Sequence, residues 1–141
     1  EDANQLIKRL RDLDLAYFDP PYNQHPYGSN YFMLNLLATY ERPERVSAVS
    51  GIPVGWQRSG YNVRSRAFTL LSDLVLNADV RFILVSFNDE GFIRPEDIQT
   101  LLGEIGPVDT IELPYNTFRG SRNLRQRNIH VSEHLFLVER R

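Results

Sequence analysis

Apolar and polar positions along the chain fall into two alternating periods, one helical and one extended. Leu6, Ile7 and Leu10 recur at helical spacing among charged neighbours, which predicts a helix over 2–12. The run Leu15-Ala16-Tyr17-Phe18 predicts a short buried strand ending at Asp19. Residues 22–30, rich in Tyr, Asn, Pro and Gly, read as a loop. Phe32, Leu34, Leu36, Leu37 and Tyr40 predict a broadly apolar helix over 30–40. Residues 41–64 are broken by Pro43, Gly51, Pro53, Gly55 and Gly60 and read as irregular. That length is unusual for a connection, and long connections are commonly functional or disordered. Phe68, Leu71, Leu74 and Val75 share one side of a helix predicted over 65–78. An apolar, β-branched strand over 81–87 runs into a turn at Ser86 to Gly91. Arg94-Pro95-Glu96-Asp97 opens a helix with acids at its positive end, stopping near Gly103 or Gly106. Two alternating segments, 108–114 and 131–138, predict the last strands.

This order predicts an α/β fold. Strands separated by helices imply parallel pairing, whereas the last two strands, joined only by a loop, imply an antiparallel hairpin. The length fits a single domain spanning 1–141. No apolar run approaches the ~18 residues of a membrane span, so no membrane partner is expected. The chain has no cysteine, which removes disulfides and thiolate zinc sites and is compatible with a cytoplasmic location. His25, His130 and His134 show no metal-ligand grouping, and no metal is expected.

Net charge is −2, but its distribution is uneven. Arg119, Arg122, Arg125 and Arg127 lie between Tyr115 and His130 without an intervening acid. Arg58, Arg64 and Arg66 form a second acid-free cluster after Trp56. Arginine forks suit phosphates and base edges. The alternatives are solvated loops and the codon usage of a GC-rich genome, which accounts for the excess of Arg over Lys but not for its clustering.

The candidate chemistry centres on Asp19-Pro20-Pro21-Tyr22, directly after the first predicted strand. In open α/β sheets, ligands bind outside the carboxyl ends of strands. Two prolines remove two N–H donors and fix φ. The segment offers a carboxylate and a carbonyl as acceptors beside an aromatic face. This set suits a planar ring bearing an exocyclic NH2 group. Read blandly, it is a proline-rich turn with Asp at its first position.

At these residues the chain resembles the S-adenosylmethionine-dependent amino-methyltransferases, above all the adenine-N6 DNA methyltransferases, whose catalytic motif is Asp-Pro-Pro-Tyr. Glu1-Asp2-Ala3 resembles the acidic motif that contacts the cofactor's adenine, which gives Asp2 a cofactor role. Ile83 to Asp89 resembles the next strand and its end, and Glu112 to Val138 the terminal hairpin. The resemblance implies the latter half of a Rossmann-like methyltransferase sheet. It implies a partial catalytic domain, since the glycine-rich cofactor loop that precedes the acidic motif in this family has no counterpart here.

The resemblance further implies that Asp19 and the Pro20 carbonyl accept the two N–H groups of adenine N6 while Tyr22 stacks on the base. Asn23, Tyr27 and Tyr31 would extend the substrate rim, or serve only as loop and helix-cap residues. Tyr115 or Phe118 would pack on the flipped adenine, or within the hairpin. Arg119, Arg122, Arg125 and Arg127 would contact phosphate or lie in a solvated loop, and the Arg and aromatic residues Trp56, Arg58, Tyr61 and Arg64 of the irregular segment could touch DNA or help recognise the site. The expected function is methyl transfer to DNA adenine N6, of the restriction–modification type. An RNA amino-methyltransferase and a non-catalytic nucleic-acid-binding remnant are the alternatives. Strand 15–18 would be left with one open edge, to be paired by a missing N-terminal half or by a second copy.

Overall fold

The computed structural model describes residues 1–49, 51–55, 58–116 and 130–140. Strands β1 (Leu13–Phe18), β2 (Val80–Asn88), β3 (Val108–Asn116) and β4 (His130–Glu139) form one sheet in the order β1-β2-β4-β3. β1 and β2 pair in parallel, with Ala16 opposite Ile83 and Phe18 opposite Val85. β4 is inserted antiparallel between β2 and β3, with Val85 opposite Phe136 and Thr110 opposite Phe136. The α/β class, the parallel pair and the closing antiparallel hairpin all follow the expectation from sequence.

One face of the sheet carries Ala16, Ile83, Val85, Phe87, Phe136 and Val138, all buried. Two helices supply the apolar side chains packed with them. α4 (Arg64–Leu76) contributes Leu71, Leu74 and Val75; α5 (Pro95–Gly103) contributes Ile98, Leu101 and Leu102. Each stripe follows the helical period of three and four. A short α1 (Ala3–Ile7) packs on α4, where buried Asn4 donates to the Leu70 carbonyl and to Asp73 Oδ2, both at 2.8 Å.

Among the described residues no layer covers the opposite face. Leu15 (52%), Tyr17 (55%), Ile111 (56%) and Leu113 (58%) remain exposed there, and Leu137 also. β1 therefore departs from expectation: it is longer than 15–18, and only Ala16 within it is buried. It is the terminal strand of the sheet, and its alternate side chains point to a face with no layer over it.

Other boundaries also moved. The first helix stops at Ile7 instead of residue 12, and Asp12, at a left-handed φ of 55°, precedes the entry into β1. The helix expected over 30–40 is two pieces, α2 (Tyr27–Asn30) and α3 (Phe32–Thr39), ended by Tyr40 at φ 56°. No residue of α3 is buried, so its broadly apolar sequence reflects an exposed surface and not a core face. Within 41–63 the chain makes an isolated bridge between Val46 and Pro53 and a 3₁₀ turn over Gly60–Asn62. Among the described residues no helix is long and apolar enough to cross a membrane, and no cluster of three metal-ligating side chains occurs.

Candidate active site at the carboxyl end of the first strand

β1 ends at Phe18, and the next three residues, Asp19, Pro20 and Pro21, line a cavity of about 810 Å³. That volume lies in the usual range for small-ligand sites. Asp2 lines the same cavity from the start of α1, as do Arg58, Ser59, Gly60 and Tyr61 from the segment before α4. Tyr17, Phe18 and Leu74 supply apolar wall. The two acids singled out from sequence, Asp2 and Asp19, therefore share one cleft although 17 positions separate them in the chain (19 − 2).

Pro20 is buried and Asp19 is exposed. Among the described residues, neither the Asp19 carboxylate nor the Pro20 carbonyl takes part in a hydrogen bond. Both acceptors are thus without a partner among the described residues, and both residues line the cavity. Asp2 is the N-cap of α1, its Oδ1 accepting from the Gln5 amide at 3.1 Å. Its second carboxylate oxygen is free of that bond, so Asp2 can cap the helix and still accept from a ligand hydroxyl or amine.

Tyr22 is half-buried, its ring 6.2 Å from that of Phe87 and inclined at 70°. Its carbonyl accepts from the Phe92 amide at 2.8 Å, which ties the loop to the turn after β2. Asn23 uses its side chain locally, Oδ1 accepting from the His25 amide at 2.9 Å. Tyr27 and Tyr31 stack with centroids 5.6 Å apart. Partial burial, then the Asp19 carboxylate, then Tyr31 and Tyr17 raise the Tyr27 hydroxyl above its ordinary value. Tyr27 thus stands in the electrostatic reach of Asp19 and stays protonated near neutral pH.

The second cluster read from sequence divides. Arg58 lines the cavity and donates to the Asn62 carbonyl at 3.2 Å. Tyr61 is buried, and its hydroxyl donates to Asn4 Oδ1 at 2.9 Å. Burial pushes that phenol far above its ordinary value, against a smaller opposing effect of the Asn4 bond. Arg64 lies 4.8 Å from the Phe92 ring centroid. Tyr61, read from sequence as able to touch DNA, instead turns its hydroxyl into the fold, although the residue still lines the cavity. Tyr115 stands in β3 opposite Val131. Phe118, Arg119, Arg122, Arg125, Arg127 and Trp56 lie outside the described residues.

Sequence reading missed Asn4, Ser59, Gly60 and Asn62. Polar residues in a helix and in an irregular segment carry no periodic signal. Only the buried state of Asn4 and Asn62 marks them.

The description "D12 class N6 adenine-specific DNA methyltransferase" matches residues 1–100. The modification methylase StsI of Streptococcus sanguinis is 34% identical over 100% of the chain, which covers 22% of that protein. The type II methyltransferase M.NlaIII of Neisseria lactamica is 30% identical over 99% of the chain and 41% of its own length. M.FokI of Planomicrobium okeanokoites, also a type II methyltransferase, is 31% identical over 99% of the chain and 22% of its own length. No solved structure matches the chain. A mixed α/β sheet, with a parallel pair and an inserted antiparallel strand, defines the class, one consistent with a methyltransferase fold. Within that class, the chain belongs to the D12 class N6 adenine-specific DNA methyltransferase family. It spans between 22% and 41% of the length of these relatives.

Proposed function

We propose that this chain forms the base-binding part of the active site of a type II modification enzyme that methylates adenine N6 in DNA, with S-adenosylmethionine as donor. The observation that carries the reading is the pair of open acceptors, Asp19 and the Pro20 carbonyl, on a cavity shared with Asp2. The residues fit the donor: Asp2 has a free carboxylate oxygen, and Tyr17, Phe18 and Leu74 give apolar wall for a purine. When bound, the donor supplies an electrophilic methyl group on a sulfonium.

The chain's own residues address a chemical difficulty. The lone pair of adenine N6 is delocalised into the ring, so the amine is a poor nucleophile. Asp19 accepts one N–H and the Pro20 carbonyl accepts the other, which raises electron density on nitrogen and fixes its direction. Positioning and preorganised electrostatics supply most of the effect. Asp19 need not remove a proton beforehand, because the extra N–H becomes acidic only after the new N–C bond forms. The base is unreachable inside a duplex and must be flipped out. Tyr22 then stacks on it, with Asn23 and Tyr27 at the rim. Tyr115 or Phe118 closes the base pocket, and Arg119, Arg122 and Arg125 hold phosphates. Arg58 belongs to the cavity wall. The uncovered sheet face and the free edge of β1 are met by further polypeptide or by a second copy, and the cytoplasm is where DNA and donor coexist.

The test is transfer of labelled methyl to mixed-sequence duplex DNA, by this chain and by this chain with its neighbouring coding sequence restored. Asp19→Ala is the control. Transfer that disappears in Asp19→Ala with DNA affinity unchanged supports the assignment. Retained transfer removes Asp19 from the mechanism, and transfer preferring RNA replaces the substrate class.

A further inference from the structure

We infer that Asn62 is a positioning residue that clamps the Asp19–Tyr22 loop to the wall of the same cavity. The inference rests on the methyltransferase reading above for its consequence, but on geometry for its substance.

The loop leaving Pro21 is held at two successive carbonyls. Tyr22 O accepts from the Phe92 amide at 2.8 Å, and Asn23 O accepts from Asn62 Nδ2 at 2.7 Å. The first clamp is backbone to backbone. The second depends on one side chain, and Asn62 is 2% exposed, so water cannot readily replace it. Asn62 is itself fixed. Its amide donates to Ser59 O at 3.1 Å, closing the 3₁₀ turn, and its carbonyl accepts from Arg58 at 3.2 Å. The preceding residue anchors the turn to the helices, Tyr61 Oη donating to Asn4 Oδ1 at 2.9 Å and to the Leu70 carbonyl at 3.1 Å. Gly60 permits the close approach: a Cβ there would lie 2.6 Å from Leu70 Cδ1.

One short segment therefore does two things. Arg58, Ser59, Gly60 and Tyr61 face the cavity that Asp2 lines, while Asn62 grips the loop that bears the acceptors. Asn4, Tyr61, Asn62 and Asn23 form a continuous polar line from the helix capped by Asp2 to the loop carrying Tyr22. Misplacing a reacting group by about 1 Å can cost roughly a hundredfold in rate, so a clamp of this kind matters to turnover more than to binding.

The experiment compares Asn62→Leu and Asn62→Asp in the full chain, neither of which can donate to the Asn23 carbonyl as Asn does near neutral pH. Amide hydrogen exchange at Phe92, which reports the Tyr22 carbonyl, is read against the β2 core amides. Methyl transfer is measured in whichever assembly makes the wild type active. Gly106→Ala, at the opposite end of the sheet, serves as a destabilised control with unchanged kcat; its Cβ would lie 2.2 Å from Glu139 O. The expected result is Phe92 exchange about tenfold faster with β2 exchange unchanged. With it comes a kcat about tenfold lower or more, and a donor KM within about twofold. Should Asn62→Leu lose β2 protection as well, the isosteric Asn62→Asp carries the test. Unchanged Phe92 exchange overturns the clamp, even with transfer intact. A rise in donor KM at constant kcat also overturns it. Faster Phe92 exchange in a protein whose wild type never transfers methyl leaves the clamp standing and sinks the methyltransferase reading instead.

Discussion

Tyr61 joins three parts of the chain through one hydroxyl, donating to Asn4 and to the Leu70 carbonyl from a buried position. Tyr61→Phe keeps the ring and removes the donor, leaving Asn4 Oδ1 without it. The expected loss is about 1–3 kcal/mol, read as a lower urea midpoint with unchanged slope. The residue proposed to touch the base should behave oppositely. Asp19 is exposed and bonded to nothing among the described residues, so Asp19→Ala should leave the urea midpoint within about 0.5 kcal/mol while abolishing transfer. A residue kept for folding and a residue kept for chemistry are separated by that pair of measurements. The motif Asp19 to Tyr22 was legible because its side-chain types are unusual together at a strand end. Asn62 was not, because an Asn in an irregular segment announces nothing until its burial is known.

At the scale of elements, the pairing of α1 with α4 carries a pH signature. Lys8 Nζ lies 2.8 Å from Asp73 Oδ1, and Asn4 donates to the other oxygen. The Lys8 bond first, then the Asn4 bond, hold the Asp73 carboxyl below its ordinary value. A lowered folded value stabilises fully above the ordinary carboxylate range, about pH 4, and the contribution disappears as pH falls through the folded value. The urea midpoint of the wild type should therefore drop on acidification below about pH 4, and that of Asp73→Asn should drop less steeply. The junction of α5 and β3 sets a steric limit. Gly106 passes so close to Glu139 that a Cβ would meet its carbonyl oxygen at 2.2 Å. Gly106→Ala should cost about 1–3 kcal/mol in the same denaturation series, because backbone on both sides cannot give way cheaply. From sequence, this glycine was only a helix stop; its second role needs the hairpin partner to be known.

For the whole molecule, the asymmetry of the sheet is the dominant fact. One face lies under α4 and α5, and the other exposes a continuous apolar set from Leu15 and Tyr17 across to Ile111 and Leu113. Among the described residues β1 ends the sheet and its outer edge pairs with no strand. Such a surface associates. Sedimentation of this chain alone should reveal concentration-dependent self-association, weakened in a Leu15→Glu, Leu113→Glu double variant; a monomer at all concentrations would show that the face tolerates water.

The sequence alone determined the α/β order, the parallel pair, the closing hairpin and the place of Asp19 to Tyr22 just beyond β1. These are local matters: apolar period, proline and glycine punctuation, and side-chain chemistry read within a few residues. The sequence suggested a buried first strand, and there it misled, because apolar residues mark what can be covered and not what is covered. Only the tertiary structure decided which face of the sheet the helices take. Only it brought Asp2 and Asp19 onto one cavity, turned Tyr61 inward and set Asn62 against the Asn23 carbonyl. Those outcomes depend on contacts between residues tens of positions apart, and a one-dimensional pattern carries no term for them.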